Sequence, residues 1–318
     1  SIGLRLRSDV QVGSCLSGGL DSSTIAALAS KMKSPGTPRF MAIHAKSTDP
    51  KSDESQFAKM VAKETGLELI EIEPTLDEFI GAIDEVIKCQ EEPFGGASIF
   101  MQFFVMKKAK ELGCTVLLDG QGGDETLLGY ERYYPTMLKS LPASQILRGF
   151  KDVVHKSKLT PVKLTQFFFY FMSAKIRRFV LFRRAKFIQS KYRKFLDYNL
   201  ISNAAVAYRN ILSLQKYEIS SLQLPHLLRY EDKNSMWHSV EARLPFLDYR
   251  VVELALAFDQ KTKFYRGWSK YILRVIGAKH FPSEVAWRRT KFGFEAPDAY
   301  WLSSIEQEMK SPVCGSSE

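Results

Sequence analysis

Apolar and polar positions along this chain fall into two regimes that meet near Tyr134. Up to that point, short apolar runs alternate with longer segments of helical period. Residues 10–16, 39–45, 67–72 and 114–118 read as strands. Residues 22–33, 54–65, 76–87 and 99–112 read as helices. In the second of these, Phe57, Met60, Val61 and Ala62 share a side, and Gly66 ends the helix. In the third, Leu76, Phe79, Ile80, Ile83, Val86 and Ile87 form one apolar face. Breaks fall at Ser34-Pro35-Gly36-Thr37-Pro38 and at Glu91-Glu92-Pro93-Phe94-Gly95-Gly96. Strands alternating with helices predict an α/β fold with a parallel sheet covered on both faces.

Beyond Tyr134 the strand signal disappears. Residues 144–154, Pro161–Met172, 174–188, 204–212 and 217–229 read as helices. Pro245 should end one helix, and Asp248 should cap the next, residues 249–258. No internal repeat is visible. Three parts are expected: 1–134 as the α/β part, 135–215 as a basic, aromatic helical insert, and 216–318 as a helical C-terminal part.

Charge sharpens the middle part. The 318 residues carry a net +10. Residues 151–194 hold thirteen Lys/Arg and one acid, Asp152, so the rest of the chain sums to −2. Phe167, Phe168, Phe169, Tyr170, Phe171, Phe179 and Phe182 interleave with these cations. Such a mixture suits nucleic acid or an anionic membrane surface. Without a recognised nucleic-acid module, the reading favoured is an amphipathic helix pair with packed aromatics and solvated charges, and nucleic acid is not expected as a partner. No apolar run approaches the ~18 residues of a membrane span, and Arg5, Arg7 and Asp9 break any signal peptide. Cys15, Cys89, Cys114 and Cys314 form no CxxC pair and fit free thiols in a reducing cytoplasm. The chain does not begin with Met, which suggests a piece of a longer chain.

Candidate chemistry concentrates at strand ends. Leu16-Ser17-Gly18-Gly19-Leu20-Asp21-Ser22-Ser23 reads as strand end, tight turn and helix start. The glycines let backbone approach a ligand, and free amides at a helix start favour an anion. The loop lacks the Gly-Lys-Ser/Thr of a Walker loop and has Asp21 instead. A carboxylate beside a phosphate cradle implies a bridging cation, Mg²⁺. A second glycine-rich loop, Asp119-Gly120-Gln121-Gly122-Gly123-Asp124-Glu125, follows the fourth strand. Ligands of parallel sheets sit at the carboxyl ends of strands, so both loops should share an edge. Asp21 and Asp124 would then face one phosphate site. Glu241 and Arg243 read either as a structural ion pair or as substrate-binding residues. A basic turn, Arg288-Arg289-Thr290-Lys291-Phe292-Gly293-Phe294, offers Lys291 to a phosphate.

The first loop resembles the pyrophosphate loop of the ATP pyrophosphatases. Residues 17–23, 119–130, 229–248 and 289–294 together resemble, in order and spacing, the synthetase domain of the asparagine synthetases. The likeness spans nearly the whole chain and is weakest over 135–215. Glu241-Ala242-Arg243-Leu244-Pro245-Phe246-Leu247-Asp248 is its most characteristic stretch. The resemblance implies a parallel five-stranded sheet with helices on both faces, adenine nucleotide α-hydrolase-like, followed by a mostly helical C-terminal half. It implies ATP and Mg²⁺ as cofactors, activation of a carboxylate (aspartate) as an acyl-adenylate, and attack by ammonia. Ser17, Gly18, Gly19, Asp21 and Ser22 would hold pyrophosphate with Mg²⁺, and Asp124 would share it. Leu16, Ile43, Asp119 and Gly120 match positions that contact adenosine. Lys291 would neutralise charge growing on the phosphates.

Two departures stand out. The family's glutaminase domain is missing from this chain, so ammonia would come from that domain elsewhere or from another source. Gln121 stands where the family's glutamate base is expected, and an amide cannot act as a base near neutral pH. Asp119 also replaces a common serine, bringing a carboxylate toward AMP. The alternatives are adenylation of another carboxylate (a surface-polysaccharide sugar acid, β-lactam or peptide cyclisation), a tRNA-modifying ATP pyrophosphatase, or an inactive scaffold. A second copy of the chain is a candidate partner.

Overall fold

The computed structural model describes residues 1–33, 39–50, 53–184, 189–195, 198–289, 297 and 300–303. In chain order the first elements are α1 (Ile2–Arg5), β1 (Val12–Cys15), α2 (Leu20–Met32), β2 (Met41–Ala45), α3 (Ser55–Thr65), β3 (Glu68–Ile72), α4 (Leu76–Gln90), α5 (Ser98–Glu111) and β4 (Val116–Leu118). Then come α6 (Gly123–Leu127), α7 (Tyr134–Lys139), α8 (Ala143–Lys156), α9 (Pro161–Met172), α10 (Ala174–Arg184), α11 (Tyr198–Ala207), α12 (Ile211–Ser220) and α13 (Gln223–Trp237). The last are β5 (Glu241–Arg243), α14 (Tyr249–Ala257), α15 (Gln260–Lys263), β6 (Phe264–Tyr265), β7 (Trp268–Ser269), α16 (Tyr271–Gly277) and α17 (Ser283–Ala286). The chain divides into two compact units. Unit 1 is Ser1–Gln121, Leu227–Asp248 and Leu273–Glu318; unit 2 is Gly122–His226 and Tyr249–Ile272.

Unit 1 is built on a five-stranded sheet in the order β3-β2-β1-β4-β5, with every neighbouring pair parallel. The chain runs outward from β1 through β2 to β3, then returns to place β4 on the other side of β1. That reversal creates a switch point between β1 and β4, where a parallel sheet opens a crevice at its carboxyl edge. Cys15, Met41, Ile43 and Leu117 of the sheet pack on Val105, Met106 and Ala109 of α5. Phe100 and Phe103 of α5 enter a second cluster with Phe79 and Val86 of α4 and with Trp301. The indole of Trp301 stacks on Phe79 at 4.4 Å between ring centroids. Serving two layers explains why α5 is apolar on most of its circumference. Gly66 ends α3 in a left-handed conformation, and Thr75 and Glu78 form a capping box at the start of α4.

The four expected strands and four expected helices of this unit are all present. The fifth strand bears out the five-stranded sheet that the resemblance implies, although the residue pattern, whose strand signal ends near Tyr134, does not locate it. β5 is Glu-Ala-Arg, three residues without a β-branched or aromatic side chain. It becomes a strand through long-range pairing, Val116 with Glu241 and Leu118 with Arg243. Its charges suit an edge position. Around Pro245 the expected preceding helix is corrected, while α14 begins at Tyr249 as expected. A strand precedes the proline, Pro245 opens a short 3₁₀ turn (Pro245–Leu247), and the Asp248 carboxylate pairs with Arg5 at 2.9 Å.

Among the described residues, the regular structure of unit 2 is helical apart from the β6–β7 hairpin. Arg266 and Gly267 both have positive φ there, as a tight two-residue turn requires. Its core gathers Leu128, Tyr133, Met137, Leu164, Phe171, Tyr208 and Leu214, with Phe171 stacked on Tyr208 at 4.6 Å. Buried Glu218 accepts from Arg132 (3.0 Å) and from the Tyr208 hydroxyl (3.2 Å). The helices expected at 204–212 and 217–229 are redrawn. A break at Tyr208–Asn210 separates α11 from α12, and the Asn210 side chain caps α12 by accepting from Leu212 and Ser213 amides. A second break separates α12 from α13. Local helical period does not register such breaks, because apolar residues continue through them. Residues 185–188, the end of the helix expected at 174–188, lie outside the described residues. The expected packing of aromatics holds for Phe167, Tyr170 and Phe171. It fails for Phe168, Phe169 and Phe179, which are exposed. No described helix is long and apolar enough to cross a membrane.

Candidate functional site

The carboxyl end of β1 leads directly into the glycine turn. Leu16 closes the strand: its amide donates to the Ile43 carbonyl (2.9 Å), and its carbonyl faces the His44 ring nitrogen Nδ1 at 2.8 Å. Leu16 and Ile43 are fully buried at this end of the sheet. Gly18 then takes φ = 76°, in the left-handed region. A Cβ there would stand 2.9 Å from the Glu54 carbonyl oxygen and 3.0 Å from the Ala58 amide nitrogen. Both conformation and space therefore demand glycine. The Ser17 amide donates to Ser22 Oγ (3.1 Å), the two serine hydroxyls lie 2.9 Å apart, and the Gly19 amide donates to Ser17 Oγ (3.2 Å). This small ring fixes the turn at the mouth of α2. Gly19 caps α2, whose first turn carries the mostly buried Asp21 and Ser22. Amides of a first helical turn have no acceptor inside the helix and point at whatever anion sits before them.

The loop after β4 lies on the same edge, as expected for residues 119–121. β1 and β4 pair in register up to Ser14 with Leu118. A Cβ on Gly120 would lie 3.1 Å from the Asp21 Cβ and 3.1 Å from the Ser22 amide nitrogen. The Gly120 amide donates to Asp119 Oδ1, and the Gln121 amide also supports that carboxylate. Gln121 itself is half-buried.

Beside Asp119 stands Glu231 of α13, 1% exposed. Burial is the main reason that its carboxyl is pushed well above the usual range, and the Asp119 charge adds to it. Burial also raises Asp119, against the two amides that favour its charged form. Two buried carboxyls in contact hold one proton between them. Glu231 is raised the further of the two, because Asp119 has the backbone donors that favour its charged form. The Cys15 thiol, raised by burial and by both carboxyls, completes the cluster. Cys15, Cys89 and Cys114 are buried free thiols, in keeping with the cysteine reading.

Arg288, the first residue of the basic turn, is anchored under the first loop. Its guanidinium pairs with buried Glu54 and lies 4.2 Å from the Phe57 ring centroid. Glu54 is the same residue whose carbonyl faces Gly18. Lys291 lies outside the described residues.

Asp124 belongs to unit 2, so its pairing with Asp21 stays an expectation from sequence. Within unit 2 it opens α6, and Lys270 reaches its Oδ1 at 2.5 Å. Gly129 makes room for this pair: a Cβ there would lie 1.9 Å from Asp124 Oδ1 and 2.0 Å from Lys270 Cε. Lys270 is buried and has φ = 50°, a conformation that costs a non-glycine residue about 1–2 kcal/mol. Next to it, Glu125 accepts from the Tyr130 hydroxyl at 2.8 Å. Burial, and then the Asp124 charge, push Glu125 up to about 7.

Glu241 and Arg243 form the ion pair weighed from sequence, at 2.8 Å. The same guanidinium donates to the Arg5 and Arg7 carbonyls at 2.7 and 2.9 Å. Both residues line a cavity of about 500 Å³ with Asp9, Thr115 and Met236. These partners account for Arg243 as a clamp on the N-terminal segment.

Sequence reading gave no role to Glu231, Lys270 or Glu54. Glu231 sits in the dense charge run 229–233, and a carboxylate among apolar neighbours was the available signal. Lys270 had none, since a lone lysine shows its burial only in three dimensions.

The comparison that decides the family spans this whole arrangement: the asparagine synthase family model matches residues 1–312. The chain belongs to the asparagine synthase family. It is 28% identical to asparagine synthetase (glutamine-hydrolyzing) 1 of Bacillus subtilis, over 97% of this chain and 50% of that protein. It is 24% identical to asparagine synthetase B (glutamine-hydrolyzing) of Escherichia coli, over 96% of this chain and 45% of that protein. Amidase chry2 of Gibberella zeae is a more distant relative, 22% identical over 95% of this chain and 51% of that protein. The chain thus spans about half the length of the curated relatives it matches. Within the asparagine synthase family, the turn at Gly18 and the loop at Gly120 are the parts that this structure brings together.

Proposed function

We propose that the chain is the adenylating half of an ATP-dependent, AMP-forming amide synthetase. A carboxylate substrate, aspartate in the leading reading, is activated as an acyl-adenylate and then aminated by ammonia. The observation that carries this is the Gly18 turn at the β1–β4 switch point, with Gly120 pressed against the Ser22 amide. Family membership supports ATP as the nucleotide.

The Ser17–Ser22 ring holds the turn rigid, so that the amides of the first turn of α2 would bind pyrophosphate without reorganising. Leu16 and Ile43, fully buried, would shape the layer behind adenosine rather than touch it, and the Asp119–Gly120 backbone would supply its polar contacts. The oxygen donors here suit a hard cation. Among the described residues no group of three His, Cys, Asp or Glu could hold a metal alone, which fits Mg²⁺ taking the rest of its shell from phosphate and water. Asp21 would hold it, and the sequence assigns Asp124 the same ion. Mg²⁺, when bound, neutralises charge on the leaving pyrophosphate. Lys291 is proposed to add a second positive charge.

Burial raises both Glu231 and Asp119, Glu231 further, which disfavours two charges on that pair near AMP. A doubly ionised pair would repel the α-phosphate. Gln121 can orient an incoming nucleophile through its amide but cannot take its proton. Adenylation is therefore the step that these residues serve best. The amidase relatives keep a second reading alive, the same activation with a different carboxylate.

ATP–pyrophosphate exchange across a panel of carboxylates tests this. Exchange should require Mg²⁺ and one carboxylate, and Asp21→Asn should abolish it. Undiminished exchange in Asp21→Asn would remove the phosphate-site assignment.

A further inference from the structure

We infer that the outer face of α9 and α10 in unit 2 binds the surface of anionic phospholipid bilayers. The two helices satisfy their packing with one side only. Leu164 and Phe171 are buried in the core, and Phe167, Tyr170 and Met172 lean on it. The opposite side mixes polar residues such as Thr165 and Gln166 with exposed apolar ones. Val162, Phe168, Phe169, Ile176 and Phe179 are all exposed, Phe169 at 56% and Phe179 at 61%. An ordinary surface helix places charged and polar residues at such positions.

Cations flank this apolar stripe. Lys163, Lys175, Arg178 and Arg183 are exposed on the same two helices. No Asp or Glu occurs in residues 153–196. Lys163 and Arg183 lie 5.8 and 5.5 Å from the ring centroids of Phe167 and Phe179. Both charged heads therefore stand beside aromatic rings of these helices. That arrangement lets rings enter the acyl boundary while the charges stay at headgroup phosphates.

Charge complementarity selects the occupant. Twelve net positive charges in 151–194 oppose a second copy of the same face. Nucleic acid would use the cations and the phenylalanines, but Val162 and Ile176 offer no stacking surface to a base. An anionic bilayer uses all of them. Because no described helix could span, the contact is peripheral.

Vesicle flotation of the full chain tests this, with phosphatidylglycerol-containing vesicles against pure phosphatidylcholine. Binding should be at least about tenfold tighter to the anionic vesicles and should weaken between about 50 and 500 mM salt. The double substitution Phe169→Ser/Phe179→Ser should lower it about tenfold with an unchanged circular dichroism spectrum and melting temperature. Lys175→Gln/Arg178→Gln should remove the preference for anionic lipid. Equal binding to both vesicles, absence of binding, or undiminished binding by the phenylalanine variant would overturn the proposal. So would single-stranded DNA that outcompetes the anionic vesicles, which would assign the face to nucleic acid instead.

Discussion

Glu125 should make unit 2 lose stability as pH rises through the neutral range, and Glu125→Gln should abolish that loss. The carboxyl lies in the first turn of α6, where a helix dipole favours charge, yet it is 1% exposed. Burial, with the adjacent Asp124 charge, outweighs both the helix start and the Tyr130 hydroxyl, and raises it from 4.5 to about 7. The sign follows from proton counting. Below about pH 4.5, folded and unfolded chains both hold the proton, and the group contributes nothing. Between about 4.5 and 7 only the folded chain holds it, so stability falls by ~1.4 kcal/mol for each pH unit. Above about 7 the full cost, about 3 kcal/mol, is reached. A glutamine keeps an acceptor for Tyr130 and carries no charge. Urea unfolding of both proteins, followed by tryptophan fluorescence at pH values from 4.5 to 8, reads the difference. The variant should gain about 3 kcal/mol relative to wild type across that span. A difference that stays constant with pH would refute the assignment of burial and Asp124 as the cause.

Gly18→Ala should cost about 1–2 kcal/mol from its left-handed backbone alone, and more from the close Glu54 carbonyl. Calorimetry should find ATP binding lost, and an unchanged affinity would contradict the turn's role. Arg288→Met leaves Glu54 buried without its guanidinium and should destabilise unit 1 by about 3–5 kcal/mol; adding Glu54→Gln should recover much of it. A loss below about 1 kcal/mol in urea unfolding would show the pair to be weak. Gln121→Glu should raise ammonia-dependent amide formation by on the order of 10²-fold if that position carries the base. An unchanged rate would put the base elsewhere.

Unit 1 was legible in the sequence because its strands and helices carry strong local periods and end at glycines and prolines. Both site loops follow from the rule that ligands meet parallel sheets at strand ends. What stayed hidden was set by distant partners. β5 has no strand composition and exists only because β4 offers an edge. Asp248 stands just before α14, as a cap would, but its pairing with Arg5, 243 positions away in the chain, has no local signal. Glu231 reads as one more charge in a charged run, and only its burial against Asp119 raises its carboxyl. On α9 and α10 the period correctly marked which residues reach the core. It did not say that Phe168, Phe169 and Phe179 would stay exposed among the described residues.

The placing of β5 also fixes an order of assembly. The segment Gly122–His226, all of it in unit 2, emerges between β4 and the last strand of unit 1. Until residues 241–243 have emerged, β4 has a bare edge, and Asp119 has no Glu231 until α13 folds back. Ser14 must find Leu118 across 104 residues before the site edge exists at all. Closing such loops costs entropy before contacts repay it. During synthesis, then, the nucleotide edge is among the last features to form. A chain stopped before Glu241 would expose an unpaired strand edge and invite association rather than bind ATP.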